Sequence, residues 1–187
     1  EPRARAQHNL HTQIAHPEEG CLVNEFSFPQ IVASVNATRE AYHKLRIIVG
    51  PPGSGKTRLL KQLAGDLQLP TLNLSMHLSR RLLSLTRRQR ALKAEEIAID
   101  IIEEHLQFGL CLDDTELLFD STLRLNPLTF LQEIFRNRLI VATWNGTLTA
   151  GELRFGYAGH PDFFGQAVSG YPVVSVTDDR LHLYLTT

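Results

Sequence analysis

Two kinds of hydrophobic order alternate along the chain. Leu45-Arg46-Ile47-Ile48-Val49, the run 108–112 and Leu139–Trp144 are near-continuous apolar stretches of strand length, the pattern of strands buried on both faces. Thr71–Ser75 alternates after Pro70 and reads as a further short strand, and YPVVSV and LHLYL near the end read as strands that pair or close the sheet. Between these runs the period changes to that of a helix. Ile31, Val32, Val35, Ala41 and Tyr42 predict an amphipathic helix over 28–44. A second helix spans 57–64 and ends near Gly65, and Leu78, Leu82 and Leu85 keep helical spacing within 76–93. Ile97, Ile101, Ile102 and Leu106 make the core stripe of a long helix over 95–107, and another helix over 127–136 precedes Leu139. Strands alternating with helices predict an α/β fold, three layers around a mainly parallel sheet, with the ligand at the carboxyl ends of the strands. Residues 1–25 are polar, contain Pro2 and Pro17 and show no period. They are expected to be a mobile tail, with 26–187 as the folded domain; His8, His11 and His16 lack partnering acids or cysteines and read as solvated.

Composition narrows the classes of partner. At 187 residues with 43% hydrophobic positions, the chain is long enough for one domain with a real core. A net charge of -1 argues against attraction of the whole surface to nucleic acid and leaves room for a local patch. No apolar run nears the about 18 residues of a membrane span. With only Cys21 and Cys111, and the latter in a predicted core strand, a disulfide is not expected and a reducing cytoplasm fits.

The chemistry begins where the first buried strand ends. Gly50, Gly53, Gly55, Lys56 and Thr57 fit G-x-x-x-x-G-K-[ST], the phosphate-cradling P-loop or Walker A pattern, in the strand–loop–helix context it requires. Glycines let consecutive amides converge on phosphate oxygens at a helix amino terminus. Pro51 and Pro52 carry no N–H, so the donors come from Gly53, Ser54, Gly55, Lys56 and Thr57, with Arg58 next in the helix; the prolines stiffen the approach. Lys56 is the point charge for the β/γ-phosphates and Thr57 a Mg²⁺ ligand. The run 108–112 ends in Asp113 and Asp114, a Walker B pattern: Asp113 is positioned to hold Mg²⁺ and Asp114 to polarise the attacking water, the place a glutamate holds in P-loop ATPases with an additional catalytic acid. An aspartate is one methylene shorter, which predicts slow hydrolysis or dependence on a partner, with nucleotide binding intact. At the end of Leu139–Trp144, Thr143 and Asn145 both qualify as γ-phosphate sensor. Arg136, Arg138 and Arg154 are candidates for an arginine finger, none above a surface role. The segment 76–93 carries Arg80, Arg81, Arg87, Arg88, Arg90 and Lys93 without an acid until Glu95, a solvated face or a contact for DNA or a partner; it contains no aromatic for base stacking.

GPPGSGKT, NLSMHLSRRLLSLTRRQR, LCLDDTELLFD, NPLTFLQEIFRNRLIVATWNG and GHPDF together resemble the BrxF family, small P-loop proteins of bacteriophage-exclusion (BREX) defence operons, over roughly 42–163. The resemblance implies a cytoplasmic ATP-binding subunit beside a DNA methyltransferase, a larger ATPase and other defence components, with Gly50–Thr57 as the phosphate loop and Asp113-Asp114 as the Walker B acids. ATP and Mg²⁺ are the expected cofactors, and a homo-oligomer is compatible. Compared with AAA+ machines, no helical lid domain follows the last strands, so a weak ATPase acting in an assembly is expected in place of a ring motor. The alternative is a small-molecule or nucleotide kinase, with the basic run imitating a lid. The guanine-reading N-K-x-D motif does not occur, which disfavours GTP.

Overall fold

The computed structural model describes residues 22–40, 44–134, 138–170, 172–177 and 180–185. In chain order its strands are β1 (Leu22–Glu25), β2 (Leu45–Gly50), β3 (Thr71–Asn73), β4 (Gly109–Asp113), β5 (Leu139–Asn145), β6 (Thr147–Thr149), β7 (Glu152–Phe155), β8 (Phe164–Ala167), β9 (Val173–Thr177) and β10 (Arg180–Leu185). Its helices are α1 (Phe28–Ala37), α2 (Lys56–Leu67), α3 (Leu74–Leu82), α4 (Arg87–His105) and α5 (Pro127–Ile134). The main sheet has the order β1-β10-β9-β2-β5-β4-β3; the segment from β9 to β3 is parallel, and β10 and β1 add an antiparallel edge. The strand feeding the glycine loop is therefore central, and β5 lies between it and the Walker B strand. This is the mainly parallel three-layer P-loop NTPase fold.

The layers follow from the two-residue period of the strands. Ile48, Cys111, Val141 and Val174 cluster with α1 and α2, while Ile47, Val49, Leu110, Leu112, Ile140, Ala142 and Trp144 cluster with α3, α4 and α5. Burial raises the Cys111 thiol pKa to about 12, so it behaves as a small apolar side chain. One residue on the α1 side breaks the apolar rule. Arg46 is 1% exposed; its guanidinium donates to the Ser34 carbonyl at 2.6 Å and to the Thr38 hydroxyl, tying α1 and the 3-10 turn after it to β2. Burial alone lowers its pKa to about 10.

Several sequence expectations change. The final residues of the expected tail are strand β1, paired antiparallel with β10, because an edge strand is held by ladder hydrogen bonds that leave no local period; 1–21, and with them His8, His11, His16 and Cys21, lie outside the described residues. The first helix stops at Ala37 and turns through a 3-10 segment, Thr38–Glu40. Gly65 does not end α2: it is exposed within the helix, and the stop is Gln68 at φ 54, just before Pro70. Leu74 and Ser75 are helical because Asn73 caps α3, its Oδ1 accepting the Met76 N–H at 2.8 Å. The long helix starts at Arg87, where Thr86 and Gln89 form a capping box, so the basic run is split between α3 and α4. The helix over 127–136 is described to Ile134.

A second sheet, β6-β7-β8, was not expected. Its first hairpin turns on Ala150 and Gly151, at φ 49 and 74, the two positive angles of a tight primed turn. It docks through aromatics: Phe119 lies edge-on to Trp144 at 4.6 Å and stacks on Phe155 at 4.0 Å.

Candidate nucleotide site

β2 delivers the chain to the loop through Gly50. A methyl group there would stand 2.5 Å from both the Ser54 Oγ and the Val176 carbonyl oxygen, so the loop folds against itself and β9 with no room for a side chain. Gly53 and Gly55 face no such crowding; they sit at φ 80 and 92, the left-handed region that a β-carbon penalises. Gly55 is the residue before α2, so the first amides of that helix open toward the loop. Lys56 is 7% exposed and its Nζ donates to the Pro51 carbonyl at 2.7 Å. A proline that offers no N–H thus supplies the acceptor that holds the lysine over its own loop. Burial lowers the Lys56 pKa, and the charges of Glu116 and Asp113 oppose that fall.

The two motifs meet at one hydrogen bond. Thr57 Oγ1 donates to Asp113 Oδ1 at 3.0 Å across 56 residues of sequence. Parallel register aligns the contributing ends: Asn73 of β3 opposite Asp113 of β4, and Gly50 of β2 opposite Asn145 of β5. Asp114 sits at φ 49, and its N–H is shared between Asp113 Oδ1 and Thr143 Oγ1, each at 3.1 Å. The Thr143 hydroxyl donates in turn to Asp113 Oδ1 at 3.4 Å, and the Thr115 hydroxyl donates to the Thr143 carbonyl at 2.6 Å. The turn after β4 is thereby stapled to β5.

The resulting pocket, about 550 Å³, is lined by Pro52, Gly53, Gly55, Lys56, Thr57, Asn73, Asp113, Asp114, Glu116, Thr143 and Asn145. It lies at the carboxyl ends of the strands. Lys56, Thr57, Asp113, Asp114, Thr143 and Asn145 therefore converge as expected. Gly50, Pro51 and Ser54 shape the loop from behind its wall, and Arg58 is exposed on α2 away from the lining. Thr143 is buried and spent on Asp113 and Asp114, whereas Asn145 is half-buried at the strand end. The donor set suits Mg²⁺, which takes one or two protein oxygens and completes its shell with phosphate and water. Among the described residues no cluster of three or more His, Cys, Asp or Glu could form an all-protein cage.

Two lining residues escaped the sequence reading. Asn73 passes for a strand residue until its cap is seen. Glu116 opens a 3-10 turn, Glu116–Phe119, that swings it back over the pocket; its only sequence signal is its place three positions after Asp113. Burial raises its pKa first, the Asp114 charge adds to this, and Lys56 opposes it. Asp114 and Glu116 also wall an adjoining cleft of about 500 Å³ whose other sides include Ser75, Met76, Asp120, Phe155 and Asp162.

Of the candidate arginine fingers, Arg138 precedes the amino end of β5, opposite the pocket, and Arg154 is paired with Glu152 at 2.8 Å. Arg136 lies outside the described residues. The basic segment does not form one patch. Arg81 is bound to Glu104, Arg80 and Lys93 share a cleft with Glu96 and Asp100, and Arg90 folds back on the Leu85 and Leu83 carbonyls at 3.0 and 3.4 Å. Arg87 and Arg88 remain exposed on α4. No helix among the described residues is long and apolar enough to cross a membrane.

No family model matches the chain, and no curated protein matches it. Several solved structures are similar to part of it, among them the following two. C. elegans PCH-2 is 24% identical with a TM-score of 0.39, over 63% of this chain and 36% of that one. The FIGL-1 AAA domain is 15% identical with a TM-score of 0.39, over 68% of this chain and 51% of that one. The chain spans less than two thirds of either.

Proposed function

We propose that this protein binds ATP with Mg²⁺ and hydrolyses it weakly to ADP and phosphate. The observation that carries the reading is the Thr57–Asp113 hydrogen bond, which brings the Walker A hydroxyl and the Walker B carboxylate to one point beside Lys56. Mg²⁺, when bound, screens the phosphate oxygens and draws charge toward the leaving group. Thr57 and Asp113 would hold it, the amides from Gly53 to Thr57 would cradle the phosphates, and Lys56 would turn from Pro51 to them. Asp114 and Glu116 are the two carboxylates placed to accept a proton from water. Asn145, with its side chain not spent on the Walker B turn, is the better sensor of the γ-phosphate; Thr143 acts through Asp113 and Asp114.

The cellular setting rests on the sequence resemblance: a cytoplasmic subunit of a BREX-type assembly that works on DNA together with a methyltransferase and a larger ATPase. Titration of the purified protein with ATP, with and without Mg²⁺, tests the site. Binding that needs Mg²⁺ and weakens at least about tenfold in Lys56→Ala, a loss of about 1.4 kcal/mol, is expected; no affinity for any Mg-nucleotide overturns the reading.

One observation favours a second reading, a kinase. The adjoining cleft shares Asp114 and Glu116 with the phosphate pocket and has room for an acceptor hydroxyl beside them. Phosphate released without any added acceptor supports the ATPase; ATP consumed only when a small hydroxylated acceptor is supplied supports the kinase.

A further inference from the structure

We infer that the cleft between the start of α4 and the turn Ser121–Arg124 is a binding site for the phosphodiester backbone of DNA. Its volume is about 810 Å³ and its walls carry Arg87, Arg88, Arg124, Ser121 and Thr122. The inference deepens the DNA-directed part of the proposed function and is independent of nucleotide binding.

The starting observation is an electrostatic conflict. The amino terminus of a helix is its positive end, where acids are favoured, yet the first turn of α4 contains no acid and opens with two arginines. Elsewhere in the basic segment the cations have local company: Arg81 pairs with Glu104, Arg90 donates to main-chain carbonyls, and Arg80 and Lys93 line a cleft that also holds Glu96 and Asp100. The side chains of Arg87 and Arg88 make no hydrogen bond or ion pair among the described residues. The places where a sequence breaks a local rule are expected to be functional or strained sites.

Arg124 supplies a third cation from a distant part of the chain. It ends the 3-10 turn Ser121–Leu123 in the left-handed region, φ 58, a conformation that costs a side-chain-bearing residue energy. That turn is not loose. Asp120 accepts the Thr122 N–H at 2.8 Å, Asp162 accepts the Ser121 N–H at 2.9 Å, and buried Leu123 anchors the turn in the same core as α4. Asp120 and Asp162 are thus engaged with the turn's main chain, and neither lines the cleft. The Arg124 N–H donates to the Ser121 carbonyl at 3.3 Å, while its side chain makes no hydrogen bond or ion pair among the described residues. Three guanidinium forks and two exposed hydroxyls therefore line one open cleft whose walls carry no acid. Guanidinium and hydroxyl donors are what phosphate oxygens accept from.

The cleft has no aromatic wall on which a base could stack, so it fits the sugar–phosphate backbone and not base readout. An open cleft of this size suits a continuous chain of phosphates better than one small anion. The overall charge of -1 means that any attraction to DNA must come from such a local feature.

The test is fluorescence anisotropy of a short labelled DNA duplex at several salt concentrations. The wild-type protein, Arg88→Ser, Arg124→Ser and the triple variant Arg87→Ser/Arg88→Ser/Arg124→Ser are compared, with Arg81→Ser as control. Wild type is expected to bind, more weakly as salt rises. Each cleft substitution should reduce the magnitude of the log K against log salt slope by about one, and the triple by about three. Arg81→Ser should leave the slope unchanged. No DNA binding by wild type, an unchanged slope in the triple variant, or an equal fall in Arg81→Ser, which would mark a net-charge effect, each overturns the inference. Mg-ATP titration of the same variants separates the two claims. Retained ATP affinity with lost DNA binding shows a folded protein and an independent cleft. DNA binding through the cleft without ATP affinity would sink the nucleotide reading alone.

Discussion

Asp114 and Glu116 pose the main chemical question at the residue scale. Asp114 is fixed by its backbone: its N–H is held by Asp113 and Thr143, and φ 49 sets the direction in which its short side chain leaves the strand. Glu116 is one methylene longer, faces the same pocket, and has its pKa raised by burial and by Asp114. If Glu116 deprotonates the attacking water, Glu116→Gln should lower kcat by about 10²–10⁴-fold with little change in Mg-ATP affinity, the scale of a lost general base. Asp114→Asn should then cost much less. The reverse order of losses in single-turnover phosphate release would assign the base to Asp114. Both variants keep volume and remove charge, so a loss of binding in Glu116→Gln would point to electrostatic support of Lys56 instead.

The hairpin between β6 and β7 carries a correctable strain at the scale of the element. A two-residue primed turn needs positive φ at both central positions, and asparagine followed by glycine satisfies this at low cost. Here the first position is Ala150, at φ 49. Ala150 is exposed, so a larger polar side chain meets no core. Ala150→Asn should therefore raise the unfolding free energy by up to about 1 kcal/mol, read from the midpoint of urea denaturation at constant m-value. A fall in stability would mean that the turn is held by something other than its backbone angles. The same reasoning explains why the hairpin is hard to find in the sequence: Ala-Gly lacks the Asn-Gly or Asp-Gly signature, and its strands are only three and four residues long.

At the scale of the molecule, Trp144 joins the two sheets and the nucleotide site. Its ring is fully buried, its Nε1 donates to the Arg154 carbonyl of β7 at 3.2 Å, and Phe119 meets it edge-on. Its neighbours in β5 are Thr143 and Asn145, both on the pocket wall. Trp144→Ala should destabilise the fold by about 3–5 kcal/mol, a large share of the about 5–15 kcal/mol available to a domain. Mg-ATP affinity should fall as well, since β5 would lose the contact that sets its carboxyl end. Trp144→Phe, which keeps the aromatic packing and loses the hydrogen bond, should recover most of the stability. Equal losses in the two variants, measured by denaturant unfolding, would show that the hydrogen bond and not the packing holds the sheets together.

What could be read along the chain are the parts whose physics is local. A continuous apolar run followed by a fixed spacing of glycine, lysine and threonine specifies a buried strand, a left-handed loop and a helix start, and the two acids at the end of another apolar run specify its partner. The phosphate loop, Asp113 and the parallel α/β layering were legible for that reason. Features that depend on one element meeting another emerge with the packed fold. Glu116 lines the pocket because a 3-10 turn folds it back, the Thr143 hydroxyl is engaged because Asp113 and Asp114 lie beside it, and edge strand β1 exists because β10 offers it a ladder. The basic segment shows the limit most clearly: sequence counts its arginines alike, but Glu104, which pairs with Arg81, and Arg124, which joins Arg87 and Arg88, are brought there by long-range packing.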